Sequence, residues 1–351
     1  MKRYFFLSLL LTATSVQADG HSNTTDDGIV VGTTHMVAAA NPYASQAGLD
    51  VLEAGGTAMD AAVAVQLVLN LVEPESSGIG GGAFLLYWDA SEKKLTTYDG
   101  REKAPMSATP EYFFGEDGKP MKWPDAVTGG LSVGVPGTLK LLETAHAAHG
   151  LKPWKSLVQP AIELSEAGFP ISGKLAASIA RAAERGLTTF EATRNYFFNA
   201  DGSPLAEGTI LKNPEFAATL KLIAAEGSAP FYTGEIAEAI VAAVATPENT
   251  GQMTMEDLAA YEVIEREPVC FDYRAYEVCG MGPPTSGGLT MGQILIMLSQ
   301  FDIASMGEGA EAWHYYVEAA KLAYADRGLY MADSDFIDMP EGLLNRDYLA
   351  D

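Results

Sequence analysis

Four glycines within five positions, Gly78, Gly80, Gly81 and Gly82, constrain this chain more than any other feature. Glycine has no Cβ, so such a run marks backbone at φ > 0 or a place where another group approaches the main chain closely. The flanks set its use. Before it, residues 58–71 (AMDAAVAVQLVLNL) are apolar nearly all round, as in a buried helix, with Thr57 as N-cap and Asp60 in the first turn. After it, residues 83–88 (AFLLYW) form the continuous apolar run expected of a strand covered on both faces. Residues 89–94 read as a polar turn and residues 95–98 as the returning strand. The hairpin brings Asp99, Gly100, Arg101 and Glu102 to one end of a sheet, and the site is expected there.

Other patterns compete for the chemistry and fail on context. Gly78-Ile-Gly80-Gly-Gly-Ala83 fits a dinucleotide fingerprint, with Asp99 at about the distance of a ribose-binding acid. That fingerprint follows a strand and opens a helix, whereas here the order is helix, glycines, strand. Gly130-Leu-Ser132-Val-Gly134 fits the nucleophile elbow, but Val135-Pro136-Gly137 separate it from the next helix and no Asp-then-His pair follows. His146 and His149 share a helical spacing without the third and fourth ligands zinc wants, and suit a helix's last turn before Gly150. Thr33-Thr34-His35 lacks the free α-amino group that a threonine nucleophile uses as its base. No cofactor and no metal are expected.

The compartment is written at the start of the chain. Lys2 and Arg3 precede an apolar run at residues 4–11, and Val16-Gln17-Ala18 is a small-residue cleavage pattern, so residues 1–18 read as a secretory signal. That apolar run is too short to span a bilayer, and a periplasmic or secreted destination is expected. The formal charge of −24, from 22 basic and 46 acidic residues, argues against nucleic acid and anionic membrane as partners. An acidic small ligand needs a dedicated cation in such a chain, and Arg101 is the candidate. Guanidinium suits a carboxylate because it offers two parallel hydrogen bonds. The two cysteines, Cys270 and Cys279, fall opposite each other if Arg274-Ala275 centres a tight turn, a separation a disulfide can close. Export favours that bridge.

The remaining pattern is largely helical. Strands are expected at residues 28–31, 36–40 and 129–136, and helices at 43–54, 138–149, 156–167, 174–185, 215–225, 235–245, 289–301 and 312–331. The class is mixed α and β, with helices in the majority, in one large unit or two; 48% hydrophobic residues suffice for a large core.

Read together, several passages resemble one family. These are MVAAANPYASQAGLDVLEAGGTAMDAAVAVQLVLNLVEPESSGIGGGAF, YDGREKAP, VGVPGT, VQPAIELSEAGFPIS, MEDLAAYEVIEREPV, GPPTSGG and EAAKLAYADR. In content and order they resemble the γ-glutamyltransferases (γ-glutamyl transpeptidases, glutathione hydrolases), self-processing N-terminal nucleophile hydrolases. The resemblance implies a four-layer αββα sandwich, and a precursor that cuts itself into a large and a small subunit. It implies an acyl-enzyme on the exposed threonine of the small subunit, with water or an amine as acceptor. Residues 19–351 then correspond to most of the large subunit, with the nucleophilic threonine beyond Asp351 and the chain's own small subunit as its partner. By its place in YDGRE, Arg101 would hold the substrate's α-carboxylate; the usual motif has a bulkier residue where Gly100 stands. Two rivals are a glutaryl-cephalosporin acylase of the same fold and a secreted binding protein for acidic amino acids that uses Arg101 without chemistry.

Overall fold

The computed structural model describes residues 23–24, 30–246 and 249–350. The expected signal, residues 1–18, lies outside the described residues, as do residues 28 and 29 of the first expected strand.

The glycine loop does join a helix to a strand. Helix α1, Pro42–Glu53, starts on Asn41, whose side chain accepts the Tyr43 N–H, and α2, Ala58–Val72, follows. Thr57 and Asp60 form a reciprocal capping box at the start of α2. Beyond the glycines, β1 (Ala83–Asp89) and β2 (Lys94–Gly100) form an antiparallel hairpin in which Ala83 faces Gly100 and Asp89 faces Lys94. A third strand, β3 (Ile264–Arg266), joins β2 on its other side, pairing Thr97 with Arg266 and Asp99 with Ile264. The third strand comes from far along the chain.

Between β2 and β3 lies the helical body: α3 (Thr138–His149), α4 (Trp154–Ala167), α5 (Gly173–Ala182), α6 (Pro214–Glu226) and α7 (Glu235–Val244). The main core is built around α2, whose Val63, Ala64 and Leu67 are wholly buried against α1, α3 and α4. Each such Leu or Val contributes about 1.5–3 kcal/mol by leaving water. Asp60, itself fully buried, accepts backbone N–H bonds from Thr57 at 2.8 Å, Leu151 at 3.1 Å and Lys152 at 3.2 Å. One carboxylate thus caps α2 and ties it to the turn between α3 and α4. A smaller cluster joins α8 (Gly287–Leu298) to α9 (Ala310–Tyr330) through Ile294, Met297, Leu298, Ala319 and Ala323.

Several expectations need correction. The apolar run of β1 is not covered on both faces: Ala83, Leu85 and Tyr87 pack on the core, while Leu86 and Trp88 are 41% and 57% exposed. Phe84, on that same outer face, lines a cleft with Phe271, Val278 and Met281, so among the described residues the face is covered only in part. Residues 36–40 form no strand, and residues 129–136 contain a 3₁₀ turn, Gly130–Ser132, instead of one. Gly130 lies so close to the backbone of Val244 and Gly251 that extended strand pairing there is replaced by a single Leu131 N–H bond to Asn249 O. Helix α5 passes at Ala183 into a π-helical turn, Ala183–Leu187, where Gly186 takes φ 101° and breaks the helical path.

A separate hairpin, β4 (Val269–Tyr273) and β5 (Tyr276–Gly280), turns at Arg274-Ala275 and sets Cys270 opposite Cys279. Their sulfurs are bonded.

Candidate functional site

Arg101 follows directly on β2, and its backbone is held from two sides. The Arg101 N–H donates to Asp99 Oδ1 at 3.0 Å, and its carbonyl accepts from Tyr261 Oη at 2.8 Å. Asp99 is 6% exposed, and its other oxygen accepts from Arg266 Nε at 2.8 Å. Arg266 turns the rest of its fork to Asp335, Nη1 to Oδ1 at 2.9 Å and Nη2 to Oδ2 at 2.8 Å. These hydrogen bonds hold the Asp335 carboxyl below the usual carboxylate range. Burial, reinforced by the negative charges of Asp99 and Glu102, pushes the Tyr261 phenol above its ordinary value, so it stays a donor. Five residues further on, the Met106 N–H donates to Asp257 Oδ1 at 2.8 Å, and Asp257 caps the helix Met255–Ala259 with Thr254. The segment from Arg101 to Met106 is pinned at both ends by residues about 150 positions downstream.

The Arg101 side chain is free to reach outward. Its guanidinium lies 5.9 Å from the Phe84 ring centre, and Nε donates to Glu102 Oε2 at 3.0 Å. Its two terminal nitrogens have no hydrogen-bond partner among the described residues.

Of the loop glycines Gly82 makes room for Glu102, while Gly78 and Gly80 have open space where a Cβ would stand. A Cβ on Gly82 would lie 2.5 Å from Glu102 Oε2 and 2.6 Å from Glu102 N, and one on Gly134 would lie 3.0 Å from Glu102 Cβ. Close approach, rather than left-handed backbone, is what those positions require. The Gly81 carbonyl accepts the N–H groups of Gly137 at 2.9 Å and Thr138 at 3.0 Å, which ends the loop on the start of α3. Beside the loop opens a cleft of about 590 Å³, lined among others by Glu73, Ser77, Gly78, Gly82, Glu102 and Thr138. Its floor is acidic: Glu73, 2% exposed, accepts from Asn41 Nδ2 at 3.1 Å and pairs with Lys174. Glu102 is shared between this cleft and Arg101.

The competing patterns find other work. Ser132 Oγ donates to Val127 O at 2.9 Å, as part of a turn. His146 Nε2 lies 2.9 Å from Lys152 O and 3.3 Å from Asp60 Oδ1, while His149 stacks on Tyr87 at 4.0 Å and meets Tyr98 Oη at 2.7 Å. Among the described residues no group of three or more His, Cys, Asp or Glu side chains could hold a metal ion. Thr33, Thr34 and His35 lie in exposed, irregular chain. Cys270 and Cys279 stand opposite each other on their own hairpin, bonded through their sulfurs. Sequence reasoning brought Asp99, Arg101 and Glu102 to one sheet end but missed Tyr261, Arg266 and Asp335. Arg266 lies 167 positions from its partner Asp99.

The site thus presents an outward guanidinium, its backbone fixed at a sheet end beside a glycine loop. The family model for gamma-glutamyltranspeptidase matches residues 44–351, and the chain belongs to that family. It is 41% identical over 325 residues to the glutathione hydrolase proenzyme of Bacillus subtilis (strain 168), covering 92% of this chain and 54% of that protein. The chain thus spans about half the length of the curated relatives it matches. The crystal structure of Helicobacter pylori gamma-glutamyltranspeptidase superposes with a TM-score of 0.87 at 37% identity, over 92% of this chain and 91% of that one. The cephalosporin acylase of Bacillus halodurans superposes at 0.80 with 32% identity, over 88% of this chain and 57% of that one. The fold is therefore the mixed α and β architecture of the N-terminal nucleophile hydrolases, and among the described residues its largest sheet has three strands.

Proposed function

We propose that this chain is the large-subunit part of an exported γ-glutamyltransferase, which hydrolyses or transfers the γ-glutamyl group of glutathione-like compounds, and that Arg101 binds the substrate's α-carboxylate. One observation carries the reading. The backbone of Arg101 is fixed by Asp99 and Tyr261, while both terminal guanidinium nitrogens remain open over Phe84. A rigid fork with two free parallel donors is what a planar carboxylate needs.

The chemistry follows from the family. A threonine Oγ of the small subunit attacks the γ-carbonyl carbon, and its own α-amino group takes the hydroxyl proton. The C–N bond then breaks, the departing amine receives that proton, and water or an acceptor amine takes the acyl group from the threonine ester. The reaction calls for no metal or cofactor. Autoproteolysis of a precursor generates the free threonine, so the large subunit has its own small subunit as partner. Residues 1–18 direct the precursor out of the cytoplasm to a periplasmic or extracellular location, where the bond between Cys270 and Cys279 is stable.

The test is hydrolysis of γ-glutamyl and glutaryl anilides by the intact protein. Replacing Arg101 with alanine is expected to lower kcat/KM for the γ-glutamyl substrate on the order of a hundredfold, the worth of two charge-assisted hydrogen bonds. The glutaryl substrate has no α-carboxylate and is expected to be indifferent to the change. A wild-type preference for glutaryl would move the assignment to the acylases, the second reading that the likeness to the Bacillus halodurans enzyme favours. Tight glutamate binding without turnover would point instead to a binding protein for acidic amino acids.

A further inference from the structure

We propose that Arg266 is a positioning residue for substrate recognition, acting on Arg101 through Asp99 and itself anchored by Asp335. The proposal rests on the reading of Arg101 as the carboxylate-binding residue.

The observation is a chain of four groups with alternating charge: Arg101, Asp99, Arg266 and Asp335. Asp99 is the pivot. Its carboxylate is 6% exposed and has one oxygen on the Arg101 N–H and the other on Arg266 Nε. A carboxylate so far from water persists in place only with a compensating charge beside it. Arg101 sends its guanidinium outward and supplies only a backbone N–H, so Arg266 is the cation that stabilises Asp99. Strand pairing puts it there, since Thr97 and Asp99 face Arg266 and Ile264 across the β2–β3 ladder.

Arg266 is in turn immobilised. Its side chain is 13% exposed, and its two terminal nitrogens are spent on Asp335, in the segment after α9. All three edges of the guanidinium are therefore directed: one toward the strand carrying Arg101, two toward the later segment. A lysine at this position keeps the charge but has one ammonium, which cannot address both carboxylates at once. The chemistry distinguishes Arg266 from an ordinary structural ion pair. If Asp99 turns away, the Arg101 N–H loses its acceptor and the guanidinium loses its mounting, while the fold around β2 keeps its ladder. The loss should then fall on recognition of the α-carboxylate and not on the reaction as a whole.

The experiment uses the intact protein from its whole reading frame, with two substrates: a γ-glutamyl anilide, and the same anilide with its α-carboxylate converted to a carboxamide. Wild type is expected to prefer the carboxylate, and Arg101→Ala to abolish the preference. If Arg101→Ala leaves the preference intact, the Arg101 reading itself fails. Given that control, Arg266→Lys is expected to raise KM for the carboxylate substrate on the order of tenfold, the worth of one charge-assisted hydrogen bond, with a much smaller change in kcat. The carboxamide substrate should be affected far less, so the preference shrinks. Equal losses on both substrates, or none, would overturn the proposal and leave Arg266 with a purely structural role. Asp335→Asn guards against a folding failure, because it keeps the Arg266–Asp99 contact and loosens only the anchor. It should shift the same ratio in the same direction by a smaller factor, and an unchanged ratio would refute the anchoring by Asp335.

Discussion

A side chain at Gly100 would collide with Leu141, one turn into α3. A Cβ there would lie 2.5 Å from both Cβ and Cδ1 of Leu141 and 3.0 Å from its Cγ. Carbon atoms in contact prefer about 3.5–4.0 Å, so the overlap exceeds half an ångström everywhere and is about 1 Å at the closest atoms. Rotation about χ1 can move Cδ1 but not Cβ, which is fixed to the backbone of α3. Leu141 is also 2% exposed and has no room to retreat. Gly100→Ala should therefore cost about 1–3 kcal/mol as an overpacked core position. Leu141→Gly alone removes the clash partner but opens a cavity, at about 2–5 kcal/mol, and adds about 1 kcal/mol for a glycine within a helix. In the double variant the new methyl group occupies part of that cavity, so its destabilisation should fall short of the sum by about 1–3 kcal/mol. The assay is urea denaturation of the four proteins, comparing midpoints at constant m. Additivity within about 0.5 kcal/mol, or a Gly100→Ala protein as stable as wild type, would refute the packing argument. Gly100 also precedes Arg101, so the single variant should show a raised KM for the γ-glutamyl anilide that the double variant partly restores.

Two further predictions concern stability. Asp60→Ala strands three backbone donors, those of Thr57, Leu151 and Lys152, and removes the capping box of α2; a loss of about 3–5 kcal/mol is expected, since a cap alone is worth about 1 and each buried unmet donor about 1–3 before water reaches it. A denaturation midpoint within error of wild type would contradict that network. Tyr232 and Tyr261 stack at 5.8 Å, and burial raises both phenols above the ordinary value of 10.0. Between that value and the raised one the unfolded chain loses protons that the folded protein keeps, so stability is full below about pH 10 and falls as pH rises, by up to about 1.4 kcal/mol per unit for each phenol. Tyr261→Phe should flatten the decline measured between about pH 9 and 11, and an unchanged slope would exclude Tyr261 as its source.

What could be read from the sequence was whatever is local. The Thr57 cap of α2, the hairpin with its returning strand, and the turn that opposes Cys270 to Cys279 each depend on residues a few positions apart, and the structure contains all three. The family was legible for a different reason, because many weak passages occur together in one order. The glycine loop was legible as a constraint but not as a cause. Its one demanding position, Gly82, answers to Glu102, which arrives after the whole hairpin. An apolar run such as β1 records hydrophobicity but not which face finds a partner: Leu85 and Tyr87 pack inward, while Leu86 and Trp88 are exposed among the described residues. The 3₁₀ turn at Gly130–Ser132 was hidden because its cause, the backbone of Val244 and Gly251, lies more than a hundred residues downstream. Arg266 was invisible for the same reason: no period in the sequence links it to Asp99.

The staples on the segment from Arg101 to Met106 impose an order in time. The hairpin β1–β2 can close as soon as it is made, since its contacts are neighbours in sequence. Asp257, Tyr261 and Arg266 lie 151, 160 and 167 residues further on. Until they arrive, Arg101 has a strand behind it but no fixed bearing. Closing loops of that length is slow compared with forming a hairpin or a helix. A nascent chain therefore has its hairpin well before the Arg101 guanidinium is aligned.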